Sequence, residues 1–573
     1  MTLAEEAPVR AAPGPGGRRP DRRWDLLVPL GYLVVAVGVM KHLLLESATR
    51  IVGGNGRGQA FSEWMLLHGA HVLTRGAAPF LAGTMAVPDG TNPVATHGFL
   101  GLSVPLAPLT LALGPARTFA LAVTLCLAGT AWAWYHVLYR HLLRNRTAAV
   151  VGGALGGFGP AMISHAQGDL ARVALFLVPF LIWRTVRLRE PGRALRNGVV
   201  LGLLAAWQFL IDEEVLFLAV FAGAVYLLLY GLQRRRAIRA GAPAFLRGLG
   251  AAAVTWAVVI GYPLAVQLTQ PYGVRPRVPV ADHRTDLFSF FEFGYPSLGT
   301  WPVGQLHHAK LAAEQNTFYG WPLLLLLLGS LWLVRGMAVR ALAGTAAVLA
   351  VLSLGSSIRF KDVTTHIPGP WKLVSGLPGL RSLAPADLAL AAFPVVVLIV
   401  ALAVRRGSEL VAAVRRARPD TPVRLLWWGL LAAALLPIAP APLRATAVPV
   451  PAFISSGTWR SYVPAGSSML TVPPGSPLSA TWRWAAATDL TLPTAEGTFN
   501  DLFTRAADSN KVQNVTERER QDAAAMFRRD HVSVVVLAPR KNDGAIRDTT
   551  DALLGFPAQY VGGVWVWDLR GRT

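Results

Sequence analysis

The sequence predicts a mainly α protein: a polytopic transmembrane helical bundle of about 11 spans, closed by a small C-terminal α/β domain. Three observations carry that prediction. Of 573 residues, 53% are hydrophobic and only 15% charged, and mean hydropathy is +0.42, whereas soluble domains carry about 25% charged residues. The apolar residues fall in blocks of about 15–25, the length needed to cross hydrocarbon. Beyond residue 444 the blocks shorten to strand length.

The charge balance fits the same picture. Lys+Arg 54 against Asp+Glu 32 gives +22, a value that in a soluble chain would suggest nucleic acid. Here the basic residues sit mostly in short links between apolar blocks, so topology control accounts for them and no nucleic-acid partner is expected. The single cysteine, Cys126, lies inside an apolar block and allows neither an intrachain disulfide nor a cysteine metal site.

Residues 1–24 are rich in Pro, Gly and Arg and read as a disordered cytoplasmic N-terminus. Leu26–Leu45 is too long for a signal-peptide core and no A-x-A site follows it, so it reads as the first span. Further spans are predicted near 118–138, 148–163, 170–186, 198–211, 215–232, 248–268, 322–334, 341–354, 388–404 and 425–442. Arg140, Arg144 and Arg146, then Arg184 to Arg196, Arg234 to Arg239, Arg335 and Arg340, and Arg405 to Arg418 all fall in links on the side of the N-terminus. That alternation predicts a cytoplasmic N-terminus and an extracytoplasmic tail in the cell membrane. The apolar stretch 99–114 contains Pro105 and Pro108, with Pro115 just after it. Counting it as a span would put every arginine-rich link outside, so it is expected to lie on the outer face within a first outer loop, 46–117. The membrane domain is then 25–443. The tail, 444–573, holds strand-like "HVSVVVLAP" (531–539) and "YVGGVWVWDL" (560–569), with a helical stretch at Glu517–Arg529 before them.

On this topology polar side chains collect at the outer boundary, where ionisable groups are costly. Asp212, Glu213 and Glu214 fill a turn between two apolar helices. They suit a solvated turn, or a role as metal ligands, base or partners for a polar substrate; adjacent carboxylates raise one another's pKa. Asp169 follows His165 and Gln167 and suits a helix N-cap as well as a site. Glu63 precedes Trp64 on an amphipathic helix marked by Phe61, Trp64, Leu67 and His71, where Trp64 is expected to anchor at the interface. His68 and His71 stand three apart there, a spacing that permits metal binding without implying it. Glycine-rich "VGGALGGFG" (151–159) lies inside a span and predicts close helix packing. There is no phosphate-binding G-x-x-x-x-G-K-[ST], no dinucleotide fingerprint after a strand and no G-x-S-x-G elbow.

The stretches "GQAFSEWMLLHGAHVLTRGAAPF", "VPDGTNPVATH", "GGFGPAMISHAQGD", "LIDEEVLF", "EQNTFYGWPLL" and "HIPGPWKLVSGLPGL" resemble the GT-C class of integral-membrane glycosyltransferases. More closely, they resemble a set of actinobacterial-type multispanning, glycosyltransferase-like membrane proteins. The resemblance implies transfer of a sugar from a polyprenyl-phosphate donor to a cell-envelope acceptor on the outer face. It implies Glu63 and Asp169 as catalytic carboxylates, with a divalent metal, Mg or Mn, among the possible helpers. Trp64, Asp212, Glu213, Glu214, Glu314 and Asn316 would line the substrate cavity, and Lys372 and Arg381 would meet the carrier phosphate. Two departures stand out. Relatives often carry Asp six residues before the Trp of "EWML", where this chain has Gly58, and an Arg expected near Asp387 is absent, leaving Arg381 as the nearest. The same features suit a catalytically silent relative or scaffold that binds lipid-linked sugar. A transporter or flippase would instead place ionisable groups deep in several spans, where only Lys41–His42 approaches that, and it would show an inverted repeat, which this sequence lacks.

Overall fold

The computed structural model describes residues 22–53, 56–92, 99–190, 192–269, 283–300, 316–377, 379–380, 383–418, 420–473, 480–495, 500–539 and 543–571. These fall into two compact units, and the chain passes between them several times.

The first unit comprises the described parts of 1–41, 122–262 and 276–443 and holds most of the apolar helices. Among the described residues of the chain, seven helices are long and apolar enough to cross a membrane: Arg23–Leu45, Pro115–Leu142, Arg146–His165, Ala194–Ile211, Glu213–Gln233, Gly241–Thr269 and Asp387–Ala417. Shorter apolar helices run Gly320–Leu333, Met337–Ser353 and Val423–Leu435. The protein is therefore a polytopic membrane protein. Asp387–Ala417 is its central element, with 94% of its most apolar stretch buried, whereas Gly241–Thr269 buries 11% and turns an apolar surface outward.

The predicted span near 148–163 is interrupted at Gly159, between Arg146–Phe158 and Pro160–His165, and a second is broken further. The stretch near 170–186 breaks into Leu170–Val173, a 3-10 turn Leu175–Leu177 and the helix Val178–Arg187. Ala174 leaves helical geometry at φ −80°, ψ 53°, and Pro179 in the first turn restarts the helix where its missing N–H costs nothing. The proline-marked stretch 99–114 forms only two short helices, Leu100–Ser103 and Ala107–Leu113, and neither is long enough to span. The glycines of 151–159 pack as their spacing predicts. A Cβ on Gly157 would stand 2.7 Å from the Ala131 nitrogen, and one on Gly153 2.7 Å from the Ala131 carbonyl oxygen.

The second unit comprises the described parts of 42–121, 263–275 and 444–573. The first loop and the tail thus share one body. Strand Arg50–Val52 pairs antiparallel with Ala445–Ala447. The helix Gly56–Arg75 meets the helix Thr481–Ala487, with Phe61 and Trp64 each 5.1 Å from Trp482 in edge-on geometry. The tail builds a four-stranded sheet in the order Ser468–Val472, Val532–Leu537, Val564–Asp568, Gln559–Val561. The first pair is parallel and the other two antiparallel. Val535 and Leu537 enter a core with Phe503, Phe527 and Trp567, while Val534 and Val536 enter another with Phe453, Trp459 and Trp484. Because successive strand residues face opposite ways, a strand covered on both faces reads as the unbroken run VSVVVL.

The helix contact at Ala131 is directly testable. Gly157→Leu should overpack that contact and lower the unfolding temperature in detergent, at a cost of about 1–3 kcal/mol. Gly129→Ala, with nothing within 4 Å of the added carbon, should leave it unchanged or slightly raised. Equal behaviour of the two variants would contradict the packing.

Candidate functional site

In the first unit, three helix N-termini bring acidic side chains to one place. Gly168, at φ 139°, turns the chain after Arg146–His165, and Asp169 caps the short helix that follows by accepting from the Arg172 N–H at 3.4 Å. Asp212 caps Glu213–Gln233, accepting from the N–H groups of Glu214 at 2.9 Å and Val215 at 3.1 Å. Asp387 opens the central helix Asp387–Ala417 and is 2% exposed. The partial positive charge of a helix start favours a carboxylate at each place.

Arg172 joins these ends. Its Nη1 donates to Asp387 Oδ1 at 2.9 Å, its Nη2 to Glu214 Oε2 at 2.8 Å, and its Nε lies 3.5 Å from Asp169 Oδ2. Asp212 adds its negative field to the same guanidinium. The Arg172 side chain is 13% exposed, Glu214 16% and Asp169 22%, against 3% for Asp387, so Asp169 and Glu214 form the accessible edge of the cluster. Beside it, His165 Nε2 lies 3.0 Å from Asn316 Oδ1, and its Nδ1 3.6 Å from Asp169 Oδ2. Asn316 in turn donates to the Ala386 carbonyl at 3.4 Å, one residue before Asp387.

Of the residues singled out in the sequence, Asp169, Asp212, Glu214 and Asn316 are brought together here, with Glu213 half-buried on the same first turn. Arg172, His165 and Asp387 complete the arrangement and were not singled out as site residues. Arg172, which stands beside Asp387, lies 215 positions earlier in the chain. Lys372 is exposed in the turn Pro370–Leu373. Glu314 and Arg381 lie outside the described residues.

Glu63 belongs to the second unit. It is 3% exposed and accepts from Gln59 Nε2 at 2.7 Å, while Gln59 Oε1 accepts from the Val52 N–H at 2.8 Å. Burial pushes the Glu63 carboxyl above the ordinary carboxylate range, against the opposing pull of Arg483 and the Gln59 hydrogen bond. Trp64 does not anchor at a membrane interface as its flanking pattern suggested. It is fully buried, stacked on His68 at 5.0 Å and edge-on to Trp482, because the tail supplies a partner that the amphipathic pattern alone does not reveal. His68 donates from Nε2 to the Pro79 carbonyl at 3.3 Å, and burial holds its pKa below the usual imidazole value. His71 Nε2 meets Asp489 Oδ1 at 2.9 Å, and Arg75 reaches the other oxygen at 2.6 Å. Burial works upward on Asp489, but the hydrogen bonds from Arg75 and His71 outweigh it and hold that carboxyl low.

These side chains do not fit a divalent metal. Among the described residues no group of three or more His, Cys, Asp or Glu is arranged to hold one. His68 and His71 turn to different partners, and the carboxylates of the first unit turn onto a guanidinium.

No protein-family model matches this chain, and no curated protein matches it in sequence. Solved structures are similar in fold. The oligosaccharyltransferase AglB from Archaeoglobus fulgidus, in complex with an inhibitory peptide and a dolichol-phosphate, is 11% identical over 94% of this chain and 71% of that one, with a TM-score of 0.50. The arabinofuranosyltransferase AftD from Mycobacteria matches in two structures at 13% and 12% identity and TM-scores of 0.52 and 0.56. Both matches cover 96% of this chain, which spans 40% and 42% of the AftD chains. The chain shares the fold of AglB and AftD.

The Glu63 environment has a signed consequence. Since its folded pKa is raised, wild-type stability should fall as pH rises from about 4.3, the unfolded value, through the folded one. Glu63→Gln keeps an acceptor for Gln59 and removes that loss. Its unfolding temperature should gain on wild type between pH 5 and pH 8 in a buffer series spanning roughly that range. A difference that does not vary with pH would contradict a buried, pKa-raised carboxyl.

Proposed function

We propose that this chain is a membrane glycosyltransferase that moves a sugar from a polyprenyl-phosphate donor to a cell-envelope acceptor on the extracytoplasmic face, with its N-terminus cytoplasmic. The observation that carries the reading is the cluster of Asp169, Arg172, Glu214 and Asp387 at converging helix starts, with Asp169 and Glu214 open at one edge. Helix starts and a fixed guanidinium form the kind of preorganised field that stabilises developing charge. A dolichol-phosphate sits on the similarly folded AglB, which supports a lipid-phosphate leaving group here.

In this mechanism Asp169 is the general base. It takes the acceptor hydroxyl proton as that oxygen attacks the anomeric carbon, while the bond to the carrier phosphate breaks and its electron pair leaves with the phosphate. A base must reach the proton it removes, and Asp169 is 22% exposed whereas the Glu63 carboxyl is enclosed. His165 lies between Asp169 and Asn316, 3.6 Å from the base, and bonds to Asn316. Glu63 is the second candidate, and Trp64 shapes its surroundings. Lys372, exposed, and Arg381 meet the carrier phosphate; Glu213, Glu214 and Glu314 contribute to sugar binding, while Asp212 and Asn316, fully buried, hold the surrounding helix starts in place.

A second reading, a silent relative that binds lipid-linked sugar without chemistry, draws on Gly58 in place of the family acid and on the hydrogen bond that ties Glu63 to Gln59.

The test is transfer of labelled sugar from polyprenyl-phosphate donors in proteoliposomes. Asp169→Asn should lower the rate by about 10²–10⁴ at unchanged expression, the usual worth of a general base. Lys372→Ala should chiefly raise KM for the donor. Donor binding without transfer from any donor would favour the silent relative, and movement of the intact donor across the bilayer would favour a flippase.

A further inference from the structure

The carboxylates that the fold brings together are arranged about a cation that is part of the chain. We propose that the Arg172 guanidinium stands where a divalent ion would stand in this acidic cluster. The native site is then closed to metal, and it becomes a metal site only when that guanidinium is removed.

The geometry supports this in three ways. First, three carboxylates from three helix starts converge on three different nitrogens of one side chain: Glu214 on Nη2 at 2.8 Å, Asp387 on Nη1 at 2.9 Å and Asp169 near Nε at 3.5 Å. Oxygens around Mg²⁺ or Ca²⁺ stand at about 2.0–2.6 Å from the ion. The planar guanidinium fans these oxygens outward and fills the point they face. Second, four carboxylates, counting Asp212, act on this single cation. The helix starts offset part of that excess negative charge, and the remainder would draw in a cation once Arg172 were gone. Third, Arg172 has little freedom to withdraw. Its backbone lies in the first turn capped by Asp169, and its side chain is 13% exposed. This inference concerns the same cluster as the proposed transfer site but does not depend on transfer taking place.

The experiment is a Mn²⁺ titration of the purified full-length protein in nanodiscs, followed by the loss of the free-ion paramagnetic resonance signal near neutral pH. Wild type and Arg172→Lys should show no site that is sensitive to Glu214→Gln. Arg172→Ala should gain one site, tighter than any wild-type binding by about tenfold or more, since affinity follows the number of charged ligands. Adding Glu214→Gln to Arg172→Ala should abolish it. A wild-type Mn²⁺ site that disappears in Glu214→Gln would overturn the proposal, because the cluster would then hold a metal with Arg172 in place. A folded Arg172→Ala protein, judged by its unfolding transition, that gains no site would also overturn it. Should Arg172→Ala fail to fold, the comparison of wild type with Glu214→Gln still decides. None of these readouts needs a donor, so their failure is separable from failure of the transferase reading.

Discussion

Four acidic side chains gathered beside apolar helices are tolerable only because one guanidinium and the helix starts share their charge. Isolated carboxylates moved out of water cost several kcal/mol each, and the arrangement here avoids that isolation. Asp169, Asp212 and Asp387 each sit at the start of a helix, and Arg172 bonds to Asp387 and Glu214 while lying close to Asp169. The same ion pairs tie a short helix, a peripheral apolar helix and the buried central helix to one another. A change to Arg172 therefore acts both on how these helices pack and on the candidate site.

The second unit follows a different logic. Its sheet is buried on both faces by aromatic and aliphatic side chains, and the Gly56–Arg75 helix joins it through Phe61, Trp64 and Trp482. Buried polar contacts specify how the pieces meet: Gln59 links Val52 to Glu63, and Asp489 receives both His71 and Arg75. An enclosed Glu63 with this many fixed neighbours is better suited to holding a helix in register than to meeting a substrate, and for that reason the transfer mechanism places the base at Asp169.

Much of the fold was legible because membrane spans are long, local and apolar. Hydropathy found the central helix and its neighbours, and the sidedness of the arginine-rich links marked 99–114 as something other than a span. The break in 170–186 was less visible, since its composition is mostly apolar and only the step at Ala174 and Pro179 divides it. The site was legible in part. Asp169 and the Asp212–Glu214 turn stood out as charges at the ends of apolar blocks. Arg172 did not, although it lies three residues after Asp169, because its strongest partner is 215 positions away and ion pairs of that range leave no local periodicity. Trp64 was misplaced for the same reason: its partner Trp482 is in the tail.

In the proposed function a lipid-linked sugar meets the protein at this cluster. Photo-crosslinking of a labelled polyprenyl-phosphate sugar to the protein in proteoliposomes, with the labelled peptides mapped, tests it most directly. The account predicts label on 164–172 and 212–214, displaced by unlabelled donor. Label confined to lipid-facing positions such as Val220 and Val258, which are 63% and 78% exposed, and not displaced by donor, would contradict it.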